Sequence, residues 1–422
     1  MKNKRILKGI LIFIILISIF ILLLTLVSMI PSKLIRKNVE NSLETLKKEG
    51  NFPKIKYGIN YKLDNYTDAL MLNTAYSIDS KEPLKSALLA RRNYQEHRKE
   101  ELTLIDIDSE STIENLEYTL KEENTEYCEY SRYWHGYLIF LRPLLLFMDY
   151  AKIRILLIVV INTLLLITSY YIWKKINLKY ALGFLISLIL AASIHLIGLS
   201  LQYSSVFIIA LCTTLCILLK KDKVNIYTLF FITGGITAFM DLLTCPIITL
   251  GIPLIIYVAL NEKKDLKDIV KMIIKLGICW GLGYSGIWIS KWLITDFIYN
   301  TNTIESAINK IKGYSGMNKN ININISIIDA FFANMDYILP IILILIIIIV
   351  YWTVLDAIAG KKKASLQNLP YLIIAIIPFA WYAVTKKHSY IHARFTYKNL
   401  TITIICLYII IINKFKNTIK SK

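Results

Sequence analysis

Cysteine is scarce in this sequence, with six residues in a chain of 422. No two cysteines have the Cys-X-X-Cys spacing of metal and redox motifs, and five of the six fall in or beside apolar segments. Cys212 and Cys216 are four residues apart, a spacing that places them on one face of a helix and suits packing. The sequence therefore predicts neither a disulfide framework nor a cysteine-based metal site.

Acidic side chains are also scarce, since 30 Asp and Glu accompany 49 Lys and Arg, for a net charge of +19. Such an excess can indicate binding to nucleic acid. Here, however, 55% of the residues are hydrophobic, the mean hydropathy is +0.52, and apolar runs of transmembrane length recur. The lysines fit cytoplasmic loops that orient membrane helices, so we expect a polytopic helical membrane protein without a nucleic-acid partner.

The N-terminus lacks the features of a cleaved signal peptide. Its basic start, MKNKRILKG, precedes an apolar run to Ile30 that is longer than a signal-peptide core. The following LVSMIPSK offers no small-residue cleavage motif. We therefore expect residues 1–30 to hold a retained first transmembrane helix, at 8–30, with its N-terminus in the cytoplasm.

A polar region at 31–135 carries roughly two-thirds of the acidic residues and has no segment apolar enough to span a bilayer. We expect a large, mainly helical extracytoplasmic loop at 31–152, which ends in an interfacial helix at 136–148. Nine further spans bring the expected total to ten transmembrane helices. They lie at 153–173, 178–201, 204–219, 225–244, 246–260, 272–295, 337–358, 369–385 and 399–413.

Successive short connections between the predicted spans are alternately rich in lysine and free of it. The short outward connections carry no lysine, as the positive-inside rule requires. This pattern places both termini in the cytoplasm of a multi-pass cell-membrane protein. It also defines a transmembrane core at 153–295, a second outward loop at 296–336 and C-terminal helices at 337–422. The lysine-rich cytoplasmic connections are 174–177, 220–224, 261–271, 359–368 and 414–422.

One outward connection, the basic loop 386–398, breaks this pattern with the sequence KKHSYIHARFTYK. Cations at helix ends, such as Lys386 and Lys398, can extend to lipid phosphates. A cluster that adds histidines and an arginine at the outer interface fits a bound phosphate or diphosphate better. The candidate binding residues are Lys387, His388, His392 and Arg394.

Two carboxylates in the first outward loop are candidates for acid–base chemistry. Asp64 and Asp68, in YKLDNYTDALML, are four apart, so a helix would place both on one face. Burial of such a pair would raise one pKa and suit a general base. The spacing also fits a capping aspartate followed by a favourable acid in the first turn. Both interpretations stay open at this point.

Further cations lie among aromatic residues in EYSRYWHGYLIFLRPLLLF, at 129–147. Such a composition fits an aromatic belt at the membrane interface, and it also fits a phosphate or sugar site. Arg132 and His135 are the main candidates there, and Arg142 is a further one. Asp241 is a further candidate site residue, because a carboxylate at the end of a membrane span costs free energy and is usually kept for a function.

Together, the first helix, the outward loop with LDNYTDALMLN, the amphipathic GYLIFLRPLLLF and the nine further spans resemble the GT-C superfamily of membrane glycosyltransferases. The resemblance implies transfer of a sugar from a polyprenyl-phosphate donor to an extracytoplasmic envelope glycan, lipid or protein. It implies Asp64 or Asp68 as base, with Arg132, His135 and the basic loop around the phosphate. The acids lie farther from the first helix than in many members. No metal is required, although some members use a divalent metal.

Two other classes of function are compatible with a polytopic chain. A transporter or flippase of a lipid-linked or anionic solute commonly shows repeated halves and ionisable groups at mid-membrane depth. This sequence has no clear internal repeat, and few charges lie within its spans. A non-catalytic envelope-assembly protein would use 31–135 to bind a partner and would tolerate alanine substitutions in the basic loop.

Overall fold

The architecture is almost entirely helical in the part of the chain that the computed structural model describes, which confirms the all-α class. One two-stranded sheet is the exception among those residues. Parts of the predicted connections 220–224, 261–271, 359–368 and 414–422 lie outside the described residues. The described ranges are 2–55, 61–95, 112–121, 125–220, 223–262, 264–315, 325–358 and 366–419.

Five helices are long and apolar enough to cross a membrane, and a pair bent by 91° raises the number to six. The helices at four other predicted spans are shorter, with 12 to 16 residues each. The prediction of ten full-length spans is therefore reproduced only in part. One physical reason is visible at 178–201, where Ser193 adopts a left-handed φ of 51° and ends the helix.

The first two helices meet at a proline. Helix α1 (Lys2–Ser28) ends before Pro31, which caps α2 (Ser32–Glu49) and cannot continue α1. On α2 the buried residues recur every three or four positions, as on one face of an amphipathic helix. These residues are Ile35, Val39, Leu43 and Leu46. Helix α2 therefore packs one face against the polar region that follows it in the chain, and its other face is exposed.

The polar domain after α2 is mainly helical, as expected. Its strands β1 (Arg92–Gln95) and β2 (Thr125–Cys128) pair antiparallel, with Arg92 opposite Cys128. Leu72, Leu116 and Trp134 belong to its shared apolar core. Its helices are α3 (Asn65–Tyr76), α4 (Pro83–Leu89), α5 (Thr112–Lys121) and α6 (Leu138–Leu145).

Arg142 joins this domain to the first membrane helix. Its guanidinium is fully buried and donates to the carbonyl of Val27 at 3.0 Å, and also to the carbonyls of Ile30 and Ala75. Carbonyls at helix ends lack partners within the helix, so this arginine satisfies groups that burial would otherwise leave unpaired. The structure thus gives Arg142, a phosphate candidate in the sequence, a structural position away from the basic loop.

The remaining chain contains the other apolar helices and the segments that connect them. Side chains of Asn177, Asn225 and Asp265 accept from first-turn N–H groups of α8, α10 and α12, which fixes where these helices begin. The helices are α7 (Tyr150–Lys175), α8 (Leu178–Ala192), α9 (Leu201–Lys220), α10 (Ile226–Met240), α11 (Ile248–Ala259), α12 (Leu266–Tyr299), α13 (Thr303–Tyr314), α14 (Ile327–Met335), α15 (Leu339–Ile358), α16 (Leu369–Val384), α17 (Lys386–Ile391), α18 (Ala393–Thr396) and α19 (Thr401–Ile419).

Glycines allow α10 and α12 to pack backbone against backbone. A Cβ added at Gly234 would lie 2.0 Å from the carbonyl oxygen of Trp280, and one at Gly283 would lie 2.0 Å from that of Phe231. Small residues at such crossings are a common device for close helix packing in membranes.

We expect Gly283→Ala to lower stability by about 1–3 kcal/mol, because the added methyl group forces α10 and α12 apart. Thermal unfolding of the detergent-purified protein measures the effect. Gly281→Ala on the same helix is the matched control, since a Cβ there meets nothing within 4 Å. Equal stability of the two variants would show that the close crossing is not needed.

Candidate active site

Asp64 is a buried carboxylate with unused hydrogen-bonding capacity. It caps α3, where Oδ1 accepts from the N–H of Thr67 at 3.1 Å and Oδ2 from its hydroxyl at 3.0 Å. In the described part of the chain, the carboxylate accepts no other hydrogen bond. Burial raises the pKa of Asp64, while the charges of Arg394 and Lys398 oppose this rise. The capping interpretation therefore holds, and free lone pairs remain.

Asp68 is fully committed to structural contacts. It accepts from the hydroxyl of Tyr150 at 2.6 Å, from that of Ser200 at 3.2 Å, and from the N–H groups of Leu201 and Gln202, both at 3.0 Å. The last two donors are the first N–H groups of α9, and the N-terminus of a helix favours a nearby negative charge. Burial raises the pKa of Asp68 to about 6, although the hydrogen bond from Tyr150 acts to lower it. The two acids that the sequence left equivalent thus occupy different environments.

A buried network extends from Asp68 to α2. The guanidinium of Arg154 forms an ion pair with Glu49 at 2.8 Å and donates to the Tyr150 hydroxyl at 2.5 Å. It also donates to the amide oxygen of Asn65 at 2.6 Å, next to Asp64 in the chain. Charge-assisted bonds of this kind hold α2, α3 and α7 in one arrangement around the first turn of α3.

Lys398 lies inside an aromatic cage rather than at the lipid surface, where its position at a helix end had placed it. Its side chain is 0% exposed, and Nζ donates to the Tyr397 hydroxyl at 3.1 Å. Nζ also lies 4.6, 4.6 and 4.2 Å from the ring centroids of Tyr61, Tyr203 and Tyr397. Aromatic faces stabilise a cation at such distances, which explains how a lysine is retained in the interior.

The loop acid and the basic loop meet at this cage. The charges of Arg394 and Lys398 both act on the carboxylate of Asp64. Arg394 also stacks on Phe52, with 3.9 Å from its guanidinium carbon to the ring centroid. The buried hydroxyl of Tyr203 lies in the field of Asp64 and Arg394 and has no hydrogen-bond partner among the described residues. We call Asp64, Tyr203, Arg394 and Lys398 the Asp64 site.

Two histidines adjoin the Asp64 site. The rings of His388 and His392 are 4.7 Å apart, and His392 stacks on Phe395 at 5.1 Å. Burial lowers the pKa of both, that of His388 to about 4, so both imidazoles are neutral near pH 7. They therefore add no positive charge for a phosphate, in contrast to Arg394. Lys387, on the same short helix α17, is buried.

Arg132 is linked to His388 and His392 indirectly, through residues of α13. Its guanidinium donates to Ser306 at 2.9 Å, and its charge acts on Lys310. The charge of Lys310 in turn acts on His388. Arg132 therefore lies at the periphery of the basic loop, and among the described residues no hydrogen bond or ion pair joins it to Asp64.

His135 serves the aromatic cluster. Its ring nitrogens contact the Tyr137 hydroxyl at 3.0 Å and the Tyr130 carbonyl at 2.9 Å. Burial lowers its pKa to about 3, so its imidazole is neutral. Both nitrogens are thus engaged within the protein, which places His135 outside the Asp64 site.

Asp241 shapes the turn after α10. Both of its carboxylate oxygens accept from the N–H of Thr244, at 3.1 and 3.0 Å, and the side chain is buried. Within this turn, Leu243 has a φ of 66°, and its carbonyl contacts Nε2 of His388 at 2.9 Å. Asp241 therefore acts on the site indirectly, by holding the carbonyl that positions His388.

Among the described residues, no group of three or more His, Cys, Asp and Glu side chains is arranged to hold a metal ion. No protein-family model matches the chain, and comparison with curated proteins and with solved structures gives no significant match. The geometry of the described residues is therefore the basis for any functional assignment.

The residues that sequence analysis missed are aromatic. Phe52, Tyr61, Tyr203 and Tyr397 surround the two cations of the Asp64 site. Tyrosine is frequent here, with 27 residues, so composition does not distinguish these from others. The local signals are the placement of Tyr61 three residues before Asp64 and that of Tyr397 next to Lys398.

Proposed function

We propose that the protein is a membrane glycosyltransferase that moves a sugar from a polyprenyl-phosphate donor to an extracytoplasmic envelope acceptor. One observation carries the proposal. A buried carboxylate with free lone pairs, Asp64, lies within electrostatic reach of two basic side chains, the half-buried Arg394 and the buried Lys398. Transfer from a lipid phosphate needs a base for the acceptor and positive charge for the leaving group, and these groups supply both.

Asp64 is the proposed general base. Its carboxylate takes the proton from the acceptor hydroxyl or amide as that group attacks the anomeric carbon, and the bond from this carbon to the phosphate oxygen breaks. A base works best when its pKa approaches the operating pH, and burial moves the pKa of Asp64 in that direction. Asp68 has no free position for this role, because four donors occupy its oxygens.

Arg394 and Lys398 are the proposed phosphate ligands. The leaving phosphate gains charge as the sugar departs, and preorganised cations in a site shielded from water stabilise that charge strongly. Arg394 offers a planar fork of donors for the phosphate oxygens, whereas Lys398 offers a point charge. The tyrosine cage holds Lys398 in place, and among the described residues no salt bridge engages its ammonium group.

The proposed membrane placement has ten crossings, with both termini in the cytoplasm. The six apolar spans account for six of them, and the shorter helices α8, α10, α11 and α16 account for the others. The lysine-rich connections then lie on one side, and α3 with the Asp64 site lies on the other.

The decisive test of the function is mass spectrometry of envelope glycans, lipids and proteins from cells of the source organism with and without the gene. We expect one sugar modification to disappear in the deletion strain and to return when the parental gene is restored. That missing sugar would identify donor and acceptor together. The proposal is wrong if the parental cells express the protein and the deletion strain nevertheless keeps every sugar modification unchanged.

A further inference from the structure

His388 has a defined hydrogen-bonding direction. Its Nε2 lies 2.9 Å from the carbonyl oxygen of Leu243, which can only accept a hydrogen bond. The hydrogen of the neutral imidazole therefore sits on Nε2. The turn that Asp241 caps holds this carbonyl in position, and Leu243 itself adopts a φ of 66°. Nδ1 consequently presents a lone pair and acts as an acceptor.

This acceptor is buried and unused. Nδ1 of His388 has no hydrogen-bond partner among the described residues, and the side chain is 3% exposed. The groups that face the ring are Tyr314, at 4.6 Å between centroids, His392, at 4.7 Å, and Phe395, at 6.1 Å. Lys310 is the charged group that acts on it. None of these contacts donates to Nδ1, and the neighbouring positive charge disfavours a second proton on the ring.

We infer that His388 binds a hydroxyl group of the sugar substrate by accepting its hydrogen bond at Nδ1, an assignment that rests on the proposed function. A fully ionised phosphate has no hydrogen to donate, so it does not satisfy this lone pair. A sugar hydroxyl does. His392 beside it also has a buried Nδ1 without a partner, and the charge of Arg394 acts on His392. The hydroxyl site thus adjoins the proposed phosphate ligands.

Access to Nδ1 requires a side chain to move, since the atom has no contact with solvent in this structure. Tyr314 is the partly exposed ring against His388, at the end of α13. Tyr314 lies on α13 and not on α17 or in the turn of Leu243, so we take it as the side chain whose displacement would give access to Nδ1. Tyr314→Ala is therefore expected to tighten the binding of a small sugar at His388.

The first test is nitrogen-15 NMR of histidine-labelled protein in micelles, with a panel of free monosaccharides as probes. We expect one unprotonated Nδ1 resonance that is missing in His388→Gln and that shifts when at least one monosaccharide is added. Glutamine keeps an N–H donor for the Leu243 carbonyl and has no acceptor at the Nδ1 position. The variant should therefore unfold at the parental temperature.

The second test compares affinities for the monosaccharide that gives the largest shift. His388→Gln should weaken binding about 10-fold, the effect of one lost hydrogen bond that leaves a polar group unpaired. His388→Asn, which has an acceptor oxygen near the position of Nδ1, should recover most of that loss. Equal affinities in all three proteins would overturn the inference.

Other outcomes also overturn it. These are a hydrogen on Nδ1, a resonance that no monosaccharide moves, or one that moves with inorganic phosphate and not with sugar. The measurement needs no transfer reaction. A sugar-dependent shift without any missing envelope sugar would count against the glycosyltransferase alone, whereas a missing envelope sugar without the shift would count against His388 alone.

Discussion

Asp64→Asn is expected to reduce sugar transfer by about 100- to 10,000-fold, the usual contribution of a general base. Asparagine is as good an N-cap as aspartate and still accepts from Thr67, so the start of α3 should be unchanged. The variant removes the base and keeps the structure around it. Transfer is measured as the rate of appearance of the modified acceptor that the envelope analysis identifies.

The control for this variant is Asp68→Asn, on the same helix one turn later. Its amide would point hydrogens at the N–H groups of Leu201 or Gln202, so we expect a clear loss of thermal stability. Asp64→Asn should melt at the parental temperature. Parental transfer rates in Asp64→Asn would show that another group removes the acceptor proton.

The same assignment predicts a pH dependence. The carboxylate is the active form, and burial raises its pKa above the ordinary value for aspartate. Transfer should therefore fall on acidification at a higher pH than an exposed aspartate would give, and this acid limb should vanish in the residual activity of Asp64→Asn.

Lys398→Met is expected to weaken transfer by about 100- to 1,000-fold, comparable to the loss of one preorganised donor at a developing negative charge. Methionine is unbranched and packs well against aromatic rings, so the cage of Tyr61, Tyr203 and Tyr397 should keep its shape. The purified variant should also bind a short-chain polyprenyl phosphate more weakly than the parental protein, as measured by calorimetry in detergent.

Lys386→Met is the matched control, because it removes the same charge from the other end of the basic loop, and the side chain is partly exposed. It should leave binding of the polyprenyl phosphate nearly unchanged, as expected for a solvent-screened charge. If both methionine variants bind the lipid phosphate as the parental protein does, the phosphate is held elsewhere.

The sequence was sufficient for the class of fold and for the segments that form the Asp64 site. Hydropathy located the apolar helices, and an excess of cations in a connection that the sequence predicts to face outward identified 386–398. It could not separate Asp64 from Asp68, because the difference depends on donors from α7 and α9. These donors, at Tyr150, Leu201 and Gln202, are 82 to 134 residues from Asp68 in the chain.

The basic loop shows the same limit. Its cations look alike in sequence, yet Lys398 is enclosed by tyrosines from three parts of the chain. His388 is neutral because it is buried. The contact of Nε2 with the Leu243 carbonyl determines that Nδ1 is the nitrogen without a hydrogen. Such properties arise from tertiary contacts, which no local pattern of residue types records.

The bond between Asp68 and the start of α9 has a consequence for geometry. Because α9 is a membrane-spanning candidate and Asp64 precedes Asp68 by one helical turn, the proposed membrane placement holds the proposed base at a constant height above the hydrocarbon layer. A polyprenyl chain anchors its phosphate at a similarly constant level. In the proposed reaction, donor and base would thus share one plane before they meet, which would confine the search for a reactive encounter to sideways movement.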